Sequence, residues 1–300
     1  MPFQLIAAPH TPFQHDGRLN TSVVDQQAAY LARHEVAGVF IAGSTGEYAS
    51  LTTAERMTLA ESWADAGARH RLRVIVHVGH NSQSDAVELA RHAGTLNVDA
   101  IGALAPSYFR PGAIHDLIEF LEPVARAGEL PFYFYDIPTM TGVSLPTAEL
   151  LRIASERLPH LAGVKFTNPD LALFQECRFA AEGRYDILFG CDEQLLAGYA
   201  LGASGAVGST YNFIPGVYHE LIAAWDAGDP DEARRLQHES VRVVRLLQSF
   251  GYMAAAKSVM RLLDVDCGPV RSPLRPLSDE QFRQLEQRLR ETGLISRLVS

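Results

Sequence analysis

Residues 72–105 read LRVIVHVGHNSQSDAVELARHAGTLNVDAIGALA, a pattern of strand, helix and strand. Leu72 to Val78 is a short apolar, β-branched run, Ser84 to Thr95 has the apolar period of a helix, and Ala100 to Ala105 is apolar again. The helical part is opened by serine and closes near Gly94, as helix termini prefer. A near-continuous apolar strand, a helix and a second such strand make one unit of a parallel sheet covered on both faces.

Working outward, the same alternation runs through the chain. Further strand candidates are Gln4 to Pro9, Ala37 to Ala42, Pro131 to Ile137, Leu161 to Phe166, Asp186 to Cys191 and Gly205 to Ser209. Helix-period segments include Thr53 to Arg69, Ile114 to Ala127 and Thr147 to Glu156. Eight strand–helix units match a closed (β/α)8 TIM barrel, an α/β fold, better than an open doubly wound sheet, which carries a nucleotide fingerprint absent here. The barrel is expected over residues 1–228 as the catalytic domain. Residues 229–300 form a C-terminal helical extension packed on it, with helices at Asp231 to Phe250, Met253 to Leu263 and Ser278 to Thr292.

The chain has 300 residues, a formal charge of -9, 47% hydrophobic and 20% charged residues. That is globular composition, neither disordered nor fibrous. The acidic balance gives no basic surface for phosphate contacts, so nucleic acid is not an expected partner. Three cysteines, Cys177, Cys191 and Cys267, lie far apart without zinc spacing and read as reduced thiols of a cytoplasmic protein. The first ten residues show no basic n-region or cleavage site. Asn20-Thr21-Ser22 is read as a helix opening whose polar side chains cap free N–H groups, rather than as a glycosylation site. Gln194 to Tyr218 lacks charge, but its glycines and Pro215 fit a buried helix, a strand and a turn rather than a membrane span.

Barrel enzymes carry their chemistry at the carboxyl ends of strands. There the sequence places Gly43-Ser44-Thr45-Gly46-Glu47, Tyr135-Asp136-Ile137-Pro138, Lys165-Phe166-Thr167, Gly190-Cys191-Asp192-Glu193 and Gly208-Ser209-Thr210-Tyr211-Asn212. Only two of the 26 basic residues are lysines, and one of them, Lys165, interrupts a run fit for burial. Burial lowers an ammonium's pKa and frees the amine as a nucleophile for Schiff-base chemistry. The bland alternative is a buried lysine paired with a carboxylate. Lys257, in a tail helix, is expected to pack its stem and carry its head to solvent or a helix end.

Tyr135 ends Phe132-Tyr133-Phe134-Tyr135, whose alternation sends both tyrosines to one face. Its phenol could relay protons, or simply pack. Ser44 and Thr45 form a turn with hydroxyls and free N–H groups suited to a carboxylate. The turn lacks the lysine that a P-loop requires. Asp192 and Glu193 open the helix after strand seven, as caps or as acceptors for polyol hydroxyls. His77 and His80 have no third ligand at useful spacing, so no metal site is expected.

These motifs resemble the pyruvate-dependent aldolases and lyases that include dihydrodipicolinate synthase and N-acetylneuraminate lyase. The carriers are Gly43 to Glu47, Tyr135 to Pro138, Gly163 to Thr167, Phe189 to Leu196 and Gly208 to Asn212, and the last two resemble the N-acetylneuraminate lyase branch. The resemblance implies a (β/α)8 barrel with a helical tail, usually a homotetramer, and no metal or organic cofactor; the punctuated composition of Gln194 to Tyr218 gives no expectation of a membrane partner. It makes Lys165 the Schiff-base lysine and Tyr135 the proton relay. Ser44 and Thr45 become the carboxylate pair, and Thr167, Gly190, Asp192, Glu193 and Ser209 the holders of a sugar tail. Tyr108 is similar to a tyrosine that a neighbouring subunit inserts beside the site. Asp136 departs from the usual Asn or His, and Met140 stands where the synthases carry an arginine for a second carboxylate. The expected reaction is cleavage of N-acetylneuraminate to N-acetylmannosamine and pyruvate. Alternatives are an aldolase or dehydratase for another 2-keto-3-deoxy sugar acid, and a non-catalytic keto-acid-binding barrel.

Overall fold

Eight parallel strands close on themselves in sequence order, each hydrogen-bonded to the next and the last to the first. They are β1 (Gln4–Ala7), β2 (Gly38–Ile41), β3 (Arg73–His77), β4 (Ala100–Leu104), β5 (Phe132–Asp136), β6 (Leu161–Phe166), β7 (Asp186–Phe189) and β8 (Gly205–Gly208). The helices from α1 to α7 are Val24–Arg33, Thr53–His70, Gln83–Ala93, Ile114–Gly128, Pro138–Thr141, Thr147–Ile153 and Leu171–Phe179. Those from α8 to α13 are Leu195–Ala200, Pro215–Asp226, Pro230–Ser249, Tyr252–Leu262, Asp279–Glu291 and Ile295–Leu298. This is a computed structural model, and it describes residues 3–154, 157–158 and 160–298. The end of the helix expected over Thr147 to Glu156 falls outside the described residues.

Strand parity sorts the apolar residues. Ile6, Phe40, Ile75, Leu104, Tyr133, Tyr135, Leu188 and Val207 fill the barrel, while Leu5, Val39, Val74, Phe132, Phe134, Val164, Phe166 and Phe189 face the helices. Each such burial contributes about 1.5–3 kcal/mol. The ring of Phe40 fits because β4 offers Gly102, where a Cβ would lie 3.0 Å from it. In β6 the outward Val164 and Phe166 leave Lys165 on the inner face, opposite Tyr135 in the β5–β6 register.

The strands are shorter than the apolar runs. Pro131 has no N–H to donate, so β5 begins at Phe132. β7 stops before Gly190, whose N–H reaches back to the Phe166 carbonyl at 2.8 Å as the chain turns into the mouth. Residues 20–22 open a helical turn but cap nothing: Ser22 donates to the Asn20 side chain at 2.6 Å, and no side chain reaches the free N–H groups. The capping expectation fails because the two polar groups satisfy each other. The charge-free stretch breaks into α8, β8 and the start of α9, and only one face of α8 is buried. Among the described residues no helix is long and apolar enough to cross a membrane.

Lys257 departs from its expectation. It is 3% exposed, its Nζ lies 2.9 Å from a Glu47 carboxylate oxygen, and it donates to the Pro269 carbonyl at 2.8 Å. The small side chains Ala254, Ala255 and Ala256 seat α11 so closely that the head is enclosed, and the Glu47 carboxylate balances its charge.

Candidate active site

The carboxyl ends of the strands enclose a cavity of about 730 Å3. Nine residues that the sequence singled out meet on its wall: Ser44, Thr45, Tyr135, Lys165, Thr167, Gly190, Asp192, Glu193 and Ser209. They come from the ends of five different strands, and barrel closure alone brings them together. Tyr108 is not among them. It is 79% exposed and stacks edge-on against Phe109 at 5.0 Å, on a loop held by Asn81, which accepts from the Ser107 and Tyr108 N–H groups.

Lys165 is buried, and its Nζ lies 4.0 Å from the ring centres of both Phe40 and Tyr135. Burial pushes its pKa down to about 7, against a smaller upward pull from Asp192. Among the described residues it makes no ion pair, so the paired-lysine alternative describes Lys257 and not Lys165. Burial thus makes the free amine of Lys165 accessible near neutral pH.

Tyr135 places its hydroxyl 3.4 Å from Ser44 Oγ, a long contact that a ligand atom could shorten or replace. Burial raises the phenol to about 12, with the Ser44 and Thr167 hydroxyls opposing the shift. The Thr167 hydroxyl is itself buried without a well-formed hydrogen bond. It has room because residue 190 is glycine: a Cβ there would sit 2.1 Å from Thr167 Oγ1.

Asp192 neither caps its own helical turn nor stands free. One carboxylate oxygen accepts from the Thr210 N–H at 2.8 Å and from the Thr210 hydroxyl at 2.6 Å, tying β7 to β8. Gly208 permits this, since a Cβ would lie 2.1 Å from the other oxygen. Burial raises Asp192 to about 6, and the two Thr210 bonds oppose it. Glu193 is half-buried on the wall. Ser209 shares a 2.6 Å hydrogen bond with the hydroxyl of Tyr252.

Tyr252 itself escaped the sequence reading. It lies 43 residues from Ser209, in a helix outside the barrel, and no motif spacing links them. With Val244, Gln248 and Met253 it makes the extension part of the cavity wall. Tyr48 was missed too, although it lies directly after the Gly43–Glu47 motif.

The other candidates resolve differently. His77 is buried, its Nδ1 lies 2.8 Å from the Ala42 carbonyl, and burial keeps it neutral. His80 is 3.3 Å from Asp85 and accepts from the Ser82 N–H. The two histidines serve separate partners, and the described residues hold no group of three metal ligands. Asp136 has the opposite parity to Tyr135. It accepts from Thr147 at 3.0 Å and Asn168 at 3.2 Å outside the barrel, so it leaves the phenol's surroundings unchanged. Met140 stands 66% exposed on the cavity lip.

Fold and site together define a (β/α)8 barrel of the amine-bearing kind, with one unpaired, neutralisable lysine beneath a hydroxyl- and carboxylate-lined mouth. The chain belongs to the dihydrodipicolinate synthetase family, whose profile matches residues 1–292. It is 37% identical over 290 residues to the N-acetylneuraminate lyase of Danio rerio, covering 95% of this chain and 94% of that one. The structure of Proteus mirabilis N-acetylneuraminate lyase superposes with a TM-score of 0.94 at 38% identity, over 97% of this chain and 98% of that one. N-acetylneuraminate lyase (sialic acid aldolase) from Aliivibrio salmonicida matches with a TM-score of 0.94 at 39% identity, over 97% of both chains.

Proposed function

We propose that this protein is a Schiff-base aldolase that cleaves N-acetylneuraminate to N-acetylmannosamine and pyruvate. The observation that carries the chemistry is the unpaired Lys165 amine, brought down towards neutrality by burial among aromatic rings against a smaller pull from Asp192. Similarity to the lyases over nearly the whole chain carries the choice of substrate.

Lys165 Nζ attacks the C2 ketone of the open-chain sugar acid, and loss of water leaves an iminium. Ser44 and Thr45 would hold the carboxylate. When the C4 hydroxyl gives up its proton, the C3–C4 bond breaks, its electron pair enters the iminium as an enamine, and the C4 carbonyl departs as N-acetylmannosamine. Protonation of the enamine at C3 and hydrolysis release pyruvate and restore the amine. Held near 12, Tyr135 is protonated in the resting site, so it works as a relay, directly or through the substrate carboxylate, and not as a standing base. Asp192, Glu193 and Ser209 suit the hydroxyls of a long tail, and Met140 offers no ion pair to a second carboxylate.

A homotetramer in which Tyr108 reaches a neighbouring site fits the exposure of Tyr108 and Phe109. Free, unbridged cysteines accord with a cytoplasmic location. Proton NMR of the purified enzyme with N-acetylneuraminate tests the reaction: pyruvate and N-acetylmannosamine should accumulate in equal amounts, with no condensation of pyruvate and aspartate semialdehyde. Turnover of a shorter 2-keto-3-deoxy sugar acid without cleavage of N-acetylneuraminate would replace this reading.

A further inference from the structure

We propose that the buried Glu47–Lys257 ion pair positions the Gly43–Gly46 turn and balances its charge, so that the C-terminal extension controls how tightly the site holds a substrate carboxylate. This rests on the aldolase reading above, in which Ser44 and Thr45 receive that carboxylate.

Glu47 is only two residues beyond Thr45, and it has a left-handed backbone at φ +53°, which a side-chain-bearing residue seldom adopts. Three contacts from elsewhere in the chain hold it and its neighbour there. Lys257 lies 2.9 Å from one carboxylate oxygen, the Arg271 N–H donates to the other at 2.9 Å, and Thr11 donates to the Gly46 carbonyl at 2.6 Å. Both charged side chains are 2% exposed. The Arg271 guanidinium is already committed to Glu55, to the Ser50 carbonyl and to the Gly17 carbonyl, and so is a poor replacement for Lys257.

The pair therefore has a signed effect. Removing the ammonium strands a buried anion beside the place where another anion must bind, whereas removing the carboxylate strands a cation that attracts it. Lys257 is a positioning residue: its Nζ is held by Glu47 and the Pro269 carbonyl, and it is not among the side chains that line the cavity.

The test is the pyruvate concentration that half-saturates borohydride inactivation of the full-length enzyme. Lys257→Met should raise it about tenfold or more, and Glu47→Gln should leave it unchanged or lower. The double variant Glu47→Gln/Lys257→Met should return to within about threefold of wild type, because the amide oxygen introduced at position 47 still accepts from the Arg271 N–H and no charge is stranded. A purely structural pair would weaken binding in both single variants alike. That pattern, or a Lys257→Met enzyme that saturates like wild type, overturns the proposal. If Lys257→Met fails to fold, the other two variants decide: recovered fold and affinity in the double variant with undiminished affinity in Glu47→Gln supports the proposal, and weak binding in either overturns it. Wild-type enzyme that pyruvate with borohydride neither inactivates nor labels is a different outcome and overturns the aldolase reading itself.

Discussion

Lys165→Met should make this protein inactive and more stable, by an amount that depends on pH in a prescribed way. In the unfolded chain the ammonium titrates at its ordinary 10.5, and in the fold at about 7. At about 1.4 kcal/mol per tenfold in that equilibrium, burial of the charged form costs the fold about 4 kcal/mol at pH 7. The sign follows from proton counting. Between pH 7 and 10.5 the unfolded chain binds more protons than the folded one, so wild-type stability rises with pH; below 7 the penalty is full, and above 10.5 it is gone. Against this stand the two ring contacts at 4.0 Å, worth about 0.5–2 kcal/mol in all to the charged lysine. A methionine of similar length packs well against the same rings. The net gain at pH 7 is therefore about 2–4 kcal/mol, which should shrink below about 1 kcal/mol at pH 10. Urea unfolding of both proteins at one protomer concentration, at pH 7 and pH 10, measures it. A Met variant no more stable than wild type at pH 7, or an advantage that persists undiminished at pH 10, would refute the claim that Lys165 is a desolvated, unpaired amine.

Four further outcomes follow from the same geometry. Tyr135→Phe should slow cleavage by about 100-fold while pyruvate still labels Lys165, and a wild-type kcat would reduce Tyr135 to a packing role. Glu193→Ala should lower kcat/KM for the sugar acid by about 10- to 150-fold, the scale of one hydrogen bond to a carboxylate. Gly208→Ala should cost at least about tenfold by driving Asp192 off Thr210; normal cleavage in both variants would remove these acids from the sugar subsite. Light scattering should find a homotetramer that Tyr108→Ala leaves with a damaged active site, whereas a fully active monomer would eliminate the neighbour's contribution.

The barrel was legible because parallel strands buried on both faces announce themselves as apolar runs, and the helices between them carry their own period. The single lysine in LAGVKF and the tyrosine pair of FYFY were legible for the same reason: strand parity alone turns Lys165 and Tyr135 inward together. What could not be read was side-chain pairing between distant segments. Lys257 looked like a surface lysine because its partner, Glu47, lies on the far side of the chain and meets it only when the extension docks. For Asp192 the sequence leaves a helix cap and a polyol acceptor both open, because its donors in the fold, the Thr210 N–H and hydroxyl, belong to the next strand's loop. Tyr252 enters the site for the same non-local reason.

Catalysis by this barrel depends on one lysine, its amine made available by burial, forming a Schiff base with the keto acid. Treating the enzyme with pyruvate and borohydride, then mapping the peptides by mass, tests this most directly, because the chain has only two lysines to choose between. A reduced pyruvate adduct should appear on Lys165 and none on the ion-paired Lys257, with activity lost in proportion to labelling. A label on Lys257, or complete trapping conditions that leave Lys165 unmodified, would contradict it.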